Sequence, residues 1–409
     1  MRRDAKKIIE AALAAAQPDV AVQKALGDMP ETSGRLILVA VGKAAWQMAY
    51  AAYQELGEKI SEGIVITKHG HSKGEIGNLQ IREAGHPVPD QNTYTATQEA
   101  LDMVSGLNAE DWVLFLLSGG GSALFEKPLI PENEMDDITG QLLASGADIV
   151  EMNTLRKHLS GVKGGRFAQT IAPAQVYAVV LCDILGDPLD MIASGPAYPD
   201  SSTCEMAQYV ADKYNITLSS QARSVLGTET PKALDNVTAV ITGSVRQLCL
   251  AAEKECRQLG YEPVILTDTL NCEARDAGSF LASIGRYYAA QEQHKPTAFI
   301  AGGETVVHLT GKGKGGRNQE IALAGARGID GLENVLLFSV GSDGTDGPTD
   351  AAGGMTDGKT VEKLREQNIN IDSVLADNDA YHALEKTEGL IMTGPTGTNV
   401  NDLTVLLVR

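Results

Sequence analysis

The amino-acid sequence predicts an α/β protein built on mainly parallel sheets. Short apolar and β-branched runs alternate with helical patterns along 409 residues, and glycine, with 43 residues, gathers at the ends of those runs. The runs are Leu36–Val41, 63–67, Trp112–Leu117 and 176–182, then 237–242, 263–267, 298–301, 335–340 and 403–408. Strands separated by helices pair in parallel through crossover connections, which is the α/β arrangement. A softer zone over 219–236, carrying Ser, Thr, Gly and Pro between the two series, marks a domain boundary. Ile8, Ile9, Ala12, Leu13 and Ala16 recur at helical spacing and predict a helix at the N-terminus. The stretch 44–56 reads as a helix directly after the first strand.

Composition excludes several function classes. The chain has 34 Lys+Arg against 53 Asp+Glu, a formal charge of −19, which argues against a nucleic-acid or anionic-membrane partner. No stretch approaches the roughly 18 apolar residues of a spanning helix. Met1-Arg2-Arg3 looks like the start of a signal peptide, but Asp4, Lys6, Lys7 and Glu10 interrupt any apolar segment behind it. The five cysteines are widely spaced with no C-x-x-C pair, which suits reduced thiols and a cytoplasmic protein.

Candidate ligand-binding residues cluster at strand ends. Lys43 follows the first strand and Gly42 and stands before a helix, where the macrodipole disfavours a cation. A phosphate or carboxylate there would meet both amide N–H groups and a charge, although a lysine turned to solvent would read the same. Ser118, Gly119, Gly120, Gly121 and Ser122 follow the third run, and three successive glycines can aim backbone N–H groups into one concavity. Beyond Asn153, the cations Arg156, Lys157, Lys163 and Arg166 fall within 11 residues of a strongly acidic chain. Singly each reads as a solvated charge, but together they suit phosphate or carboxylate. Asp183, at the end of a buried-looking strand, needs a cation, a metal or a hydroxyl partner, and Asp190 follows it. Asp183 is a candidate Mg²⁺ ligand or base, and Asp190 is either a second such group or a cap of the next segment.

In the C-terminal half, Gly311, Gly313 and Gly316 satisfy G-x-G-x-x-G literally. Lys312, Lys314 and Arg317 crowd that motif, however, and the run 306–310 reads as a hairpin arm with 298–301. The cations fit a triphosphate better than a neutral dinucleotide turn. Residues 353–360 match the P-loop spacing but stand a loop of about a dozen residues away from the preceding strand, so Asp357-Gly358 reads as a turn and Thr360 as a helix N-cap. Asp343, Asp346 and Asp350 lie in one loop as either Mg²⁺ ligands or turn residues. The polar segment 393–402 suggests a pocket wall or a hydrogen-bonded loop. No G-x-S-x-G elbow and no Cys/His couple is present, and His69, His71 and His86 sit in glycine-rich loops.

The ordered segments VGKAAWQMA, GHPVPD, LLSGGGSAL, LRKHLSGVKGGRFA, SGPAYPD, GGETVVHLTGKGKGGRNQE, SVGSDGTDGPTDAAGG and GPTGTNVNDL resemble the glycerate 2-kinase family over nearly the whole chain. The resemblance implies a Rossmann-like α/β glycerate kinase domain over 1–230 and an α/β domain of MOFRL type over 231–409, with the active site in the cleft between them. It implies ATP and Mg²⁺, and phosphorylation of D-glycerate at the 2-hydroxyl. It further implies that Lys43 and Arg317 are the catalytic residues. The mechanistic expectation is that these two cations converge on the γ-phosphate. Ser118, Gly119, Gly120, Gly121, Ser122, Asn153, Arg156 and Lys314 would then hold substrate or phosphate, with Asp183, Asp190 and Asp343 as metal ligands. The alternatives are an NAD(P)-dependent hydroxypyruvate reductase, as some relatives are labelled, and a non-catalytic binder of anionic metabolites.

Overall fold

The computed structural model describes residues 1–182, 186, 189–291 and 295–409. Packing divides the chain into two compact units, Ala21–Thr242, and Gly243–Arg409 together with Met1–Val20. This differs from the division read from composition. The N-terminal helix Arg2–Ala15 does bury the expected Ile8, Ile9, Ala12 and Leu13. Within its unit it is fastened by Arg2 to Asp357 at 2.8 Å and by the Tyr261 hydroxyl to Asp4 at 2.8 Å.

The first sheet contains β1 (Leu36–Val41), β2 (Ile60–Lys68), β3 (Leu79–Ala84), β4 (Trp112–Leu117), β5 (Gln175–Leu181) and β6 (Val237–Gly243), in the order β3-β2-β1-β4-β5-β6. β1 pairs in parallel with β2 and β4, β2 with β3, and β4 with β5. Every residue of β1 is buried, so its continuous apolar run serves both faces of a covered parallel sheet. The order 3-2-1-4-5-6 is that of a doubly wound dinucleotide-type sheet, which reverses direction between β1 and β4. β6, which sequence places at the head of the second series, is an edge of this first sheet. Asn236 explains why: its amide donates to the Ala168 and Ala174 carbonyls, and its own carbonyl accepts the Val176 N–H at the start of β5.

Under the sheet, Phe115, Phe125 and Phe167 meet with ring centroids 4.9–6.1 Å apart in a cluster that continues into Ile37, Val39 and Val113. A second, smaller core joins the helices Glu132–Ser145, Ile149–Leu159, Cys204–Lys213 and Ser220–Leu226.

The second sheet contains β7 (Glu262–Leu270), β8 (Thr297–Gly303), β9 (Val335–Gly341), β10 (Gly353–Asp357), β11 (Leu390–Ile391) and β12 (Asp402–Val408), in the order β11-β10-β9-β12-β8-β7. It departs from the parallel expectation. Only β7 and β8 pair in parallel, while β12 is antiparallel to both β8 and β9, and β10 is antiparallel to β9 and β11. All seven residues of β12 are buried, and a strand covered on both faces shows the same apolar run whichever way it points.

Two local expectations are corrected, the hairpin arm at 306–310 and the N-cap role of Thr360, while the P-loop match already set aside has its own structural explanation. Residues 306–310 form no hairpin arm, because β8 has β7 and β12 as neighbours and Val306 makes only an isolated bridge to Glu273. The formal P-loop segment is largely strand β10, whose backbone is used in pairing with β9. Thr360 is the first residue of the helix Thr360–Glu366, and its hydroxyl accepts the Asp357 N–H at 2.9 Å.

Phe167→Ala should remove about 3–5 kcal/mol of stability, the usual cost of emptying a buried aromatic site. A urea titration followed by circular dichroism measures it, and a midpoint equal to that of the wild type would show that the aromatic cluster is not cooperative with the sheet.

Candidate active site

In an open parallel sheet ligands bind beyond the carboxyl ends of the strands where the order reverses. Here that point lies between the ends of β1 and β4, and the segments that leave them are Gly42-Lys43 and Ser118–Ser122. They are joined closely. The Ser118 N–H donates to Val41 at 2.9 Å, the Lys43 N–H donates to the Gly119 carbonyl at 2.9 Å, and the Ser118 hydroxyl accepts the Ala44 N–H at 3.1 Å. Gly42 makes this possible. Its φ is +124°, and a Cβ there would stand 2.2 Å from the Ser118 Oγ. Ser118 is buried, so its hydroxyl serves the corner.

The corner is electropositive. A Cβ on Gly120 would lie 3.0 Å from the His86 ring and 3.2 Å from the Lys43 side chain, which places both beside the glycine turn. His71 Nδ1 lies 3.1 Å from the Lys43 carbonyl. Burial lowers the pKa of His86, and the charges of Lys43, Lys68 and His71 lower it further, so the imidazole is held neutral. Among the described residues the Lys43 ammonium has no carboxylate within ion-pair distance.

The four cations of 156–166 have four different tasks. Arg166 donates to the carbonyls of Lys157, His158 and Ser160, closing the C-terminal end of helix Ile149–Leu159. Lys163, fully buried, pairs with Glu126 at 3.0 Å and donates to the carbonyls of Ser122 and Phe125. Burial pushes its pKa down to about 8 despite the nearby Glu126. Lys157 pairs with Asp200 at 3.2 Å and with Asp190 at 3.4 Å. Arg156 differs from these: its Nη2 donates to the Ser122 carbonyl at 3.2 Å, and its Nε is buried with no partner among the described residues.

Asn153 joins the same place. Its Oδ1 accepts from the Ser194 hydroxyl at 3.1 Å, and the Ser194 and Ser122 hydroxyls are 3.1 Å apart. Ala193 and Ser194 have φ of +51° and +61°, a left-handed conformation that costs non-glycine residues of order 1–3 kcal/mol each and gathers at functional sites. Sequence reading did not single out Ser194 as a site residue, and backbone strain leaves no signal in residue type. Asp190 Oδ2 is shared by Lys157 and the Ser201 hydroxyl. Asp183 lies outside the described residues.

In the second unit Arg317 opens helix Arg317–Gly328 and is held between carboxylates. It forms a two-point pair with Asp402 at 2.5 and 3.2 Å and reaches Glu304 at 2.8 Å. Burial works against the guanidinium charge, but Asp402 and Glu304 more than offset this and raise its pKa. Burial pushes Asp402 above the usual carboxylate range against the pull of Arg317. Asp346 receives the N–H groups of Asn318 and Gln319 at the same helix start. Burial nevertheless pushes it up to about 6, with the Asp402 charge adding to the effect. Sequence reading missed Glu304 and Asp402, which lie on either side of Arg317 in the chain and meet it only through the pairing of β8 with β12.

The literal G-x-G-x-x-G segment has an internal explanation. The N–H groups of Gly311, Lys312, Gly313 and Lys314 donate to Asn378, Asp377, Asp377 and Asp379 respectively. A Cβ on Gly311 would fall 2.3 Å from the Asp377 backbone, one on Gly313 2.5 Å from Asp379, and one on Gly316 2.2 Å from Asp346. The glycines admit neighbouring chain rather than a pyrophosphate, and no strand runs directly into them. The Lys314 ammonium lies 4.0 Å over the Tyr381 ring. The loop aspartates also separate: Asp343 Oδ1 accepts the Thr345 N–H, and Asp350 accepts the Tyr381 hydroxyl. The 393–402 segment bonds back to Ser342 and Asp343 through Thr396 and Val400.

Comparison with known proteins gives matches over most of the chain. A domain of unknown function, DUF4147, matches residues 4–227, and the MOFRL family matches residues 297–402. A D-glycerate 2-kinase of Thermotoga maritima is 51% identical over 412 residues, covering 100% of this chain and 98% of the relative. A glycerate 2-kinase of Pyrococcus horikoshii is 41% identical, covering 92% and 88%. The crystal structure of a Thermotoga maritima glycerate kinase superposes with a TM-score of 0.95 at 51% identity, covering 100% of this chain and 99% of that one.

Asp346 yields a test by pH. Its carboxyl is raised from 3.8 to about 6 in the folded chain, so its contribution to stability is complete below pH 3.8 and is lost as pH rises through 6. Relative to Asp346→Asn, the wild type should lose about 3 kcal/mol across that window, since one pKa unit is about 1.4 kcal/mol. Paired urea titrations at several pH values measure the difference, and parallel curves would contradict the raised carboxyl.

Proposed function

The chain belongs to the glycerate 2-kinase family, and from that membership we propose that it transfers the γ-phosphoryl group of ATP to the 2-hydroxyl of D-glycerate. The enzyme is a phosphotransferase acting on an alcohol. The observation that carries this reading is the 51% identity to a D-glycerate 2-kinase across the full length of both chains. The N–H groups of the G-x-G-x-x-G segment, the basis of the reductase reading, are taken up by the protein's own 377–379 segment, chiefly by its Asp and Asn side chains.

Phosphoryl transfer asks the protein mainly for position and for charge aimed at the transferred group. Lys43 supports the first role. It stands at the sheet's reversal point, without a described carboxylate partner and beside a turn of three glycines. We assign it to phosphate oxygens, with Gly119, Gly120 and Gly121 allowing their close approach. Arg156 is assigned to the carboxylate of the acceptor, because its guanidinium carries a buried donor without a partner among the described residues. Ser122, Asn153 and Ser194 lie within reach of the same place and suit the hydroxyls. Ser118 acts by positioning Lys43.

Arg317 receives the second catalytic assignment, with Lys314 as an auxiliary phosphate contact. Because Arg317 also neutralises the buried Asp402, its deletion affects folding as well as catalysis. Mg²⁺ accompanies ATP in this reading. The ion is held largely by phosphates and asks for one or two carboxylates. Asp190, partly exposed and sharing Oδ2 between Lys157 and Ser201, fits that requirement, whereas Asp343 is engaged in its own turn. No helix among the described residues is long and apolar enough to cross a membrane. The small-molecule substrates and widely spaced cysteines support a cytoplasmic setting.

Incubation with D-glycerate, ATP and Mg²⁺ should give 2-phosphoglycerate by ³¹P NMR, and a chelator should stop turnover until Mg²⁺ is restored. Oxidation of NADH with hydroxypyruvate in the absence of ATP turnover would overturn the kinase reading. Lys43→Ala should lower kcat on the order of 10²-fold or more at an unchanged melting temperature, as expected for loss of a charge contact in the transition state. Arg317→Lys should lower kcat similarly while keeping a cation beside Asp402. Near-normal turnover in either variant would remove its catalytic assignment.

A further inference from the structure

His158 is the penultimate residue of helix Ile149–Leu159, and its side chain is fully buried. Its Nδ1 lies 2.9 Å from the Thr154 carbonyl oxygen, which can only accept. The ring proton therefore sits on Nδ1, and Nε2 carries a lone pair. Nε2 is buried and has no hydrogen-bond partner among the described residues. Buried polar atoms are nearly always satisfied, so an unmatched lone pair at this depth indicates a missing partner. Beside His158 stand Cys204, the first residue of helix Cys204–Lys213, and Glu229. One donor atom from each of the three lies within 4.8 Å of the others.

We propose that His158, Cys204 and Glu229 bind one divalent transition-metal ion of the zinc class. Nitrogen, sulfur and oxygen together are the donors of such an ion, with water in a fourth position, and a set containing sulfur does not suit Mg²⁺. The surroundings fit. The Thr154 carbonyl orients the imidazole from behind, as carbonyls commonly do for metal-bound histidines. Burial, followed by Arg166 and Lys232, keeps the imidazole in the neutral form that binds metals, against the Thr154 carbonyl and Asp200. Glu229 is held by the Cys204 N–H at 2.8 Å and by Lys232 at 2.8 Å, and the ion replaces Lys232 as its cationic partner. Without the ion, burial and the hydrogen bond to Glu229 raise the Cys204 thiol; coordination releases that proton to solvent.

The site clips together a helix end, a helix start and the turn before Thr230. His158 follows Lys157, which holds Asp190 and Asp200, and it lies in the last turn of the helix that carries Asn153 and Arg156. An ion there fixes the end of that helix without touching substrate. The site stands independently of the kinase reading, because its test does not use turnover.

The test uses the full chain, reduced and freed of metal by a chelator, with Co²⁺ as the probe. One equivalent per chain should produce a near-ultraviolet thiolate-to-cobalt charge-transfer band that Zn²⁺ displaces, and Zn²⁺ should raise the melting temperature. Cys204→Ser, at a partly exposed position, should fold, lose the band and bind Zn²⁺ at least about tenfold more weakly, and Glu229→Gln should weaken binding while keeping the band. Absence of a band in the wild type, or a band that survives in Cys204→Ser, would overturn the site.

Discussion

The hydroxyl of Ser118 on the N–H of Ala44 is the contact on which the first unit's site depends. It ties the end of β4 to the helix that follows β1 at the place where the sheet reverses. The tie requires Gly42, since a Cβ would occupy the space of the Ser118 Oγ. With the corner closed, the N–H groups of Lys43 and Ala44 are satisfied internally. In the role proposed for this corner, the lysine side chain rather than these amides is the group left to meet an anion. The corner thus reverses the arrangement expected from the macrodipole, in which the amides do most of the binding.

The charges around this corner differ in kind from those around Arg317. Of the cations at 156–166, Arg166 caps a helix, while Lys157 and Lys163 neutralise the buried acids Asp200 and Glu126. Among the described residues Arg156 is left with an unmatched donor and Lys43 with no acid. Arg317, by contrast, sits in a negative surrounding of Asp402, Glu304 and Asp346. The carboxylates orient the guanidinium, and a phosphate approaching it would compete with them for its donors. Charge aimed at a reacting group works best when its direction is set beforehand, and in the catalytic role proposed for Arg317 the two-point pair with Asp402 would supply that direction.

Glycine motifs in this chain illustrate how one residue type serves unrelated demands. Gly311, Gly313 and Gly316 meet the dinucleotide spacing because the 377–379 segment and Asp346 pass within van der Waals exclusion distance of their Cα atoms. The residues with P-loop spacing lie in a strand that pairs through its backbone with β9. In both places the permissive backbone of glycine is used for close approach of protein to protein. Gly42 and Gly120 use the same freedom beside a cation that lacks a described counter-charge.

Hydrophobic runs, glycine at strand ends and the N-terminal helical stripe determined the α/β class, most strand positions and the two clusters at Lys43 and at 118–122. These are local properties, written in residue type and period. Tertiary structure decided the rest. The direction of β12 and the sheet membership of β6 are invisible in apolar runs that read alike in either direction or either sheet. The assignment of separate tasks to Arg156, Lys157, Lys163 and Arg166 depends on partners at Ser122, Asp200, Glu126 and the helix end. The surroundings of Arg317 depend on Glu304 and Asp402, which are brought together by antiparallel pairing of strands roughly a hundred residues apart. An ion pair is set by distance in space, and sequence specifies that distance only through the completed fold.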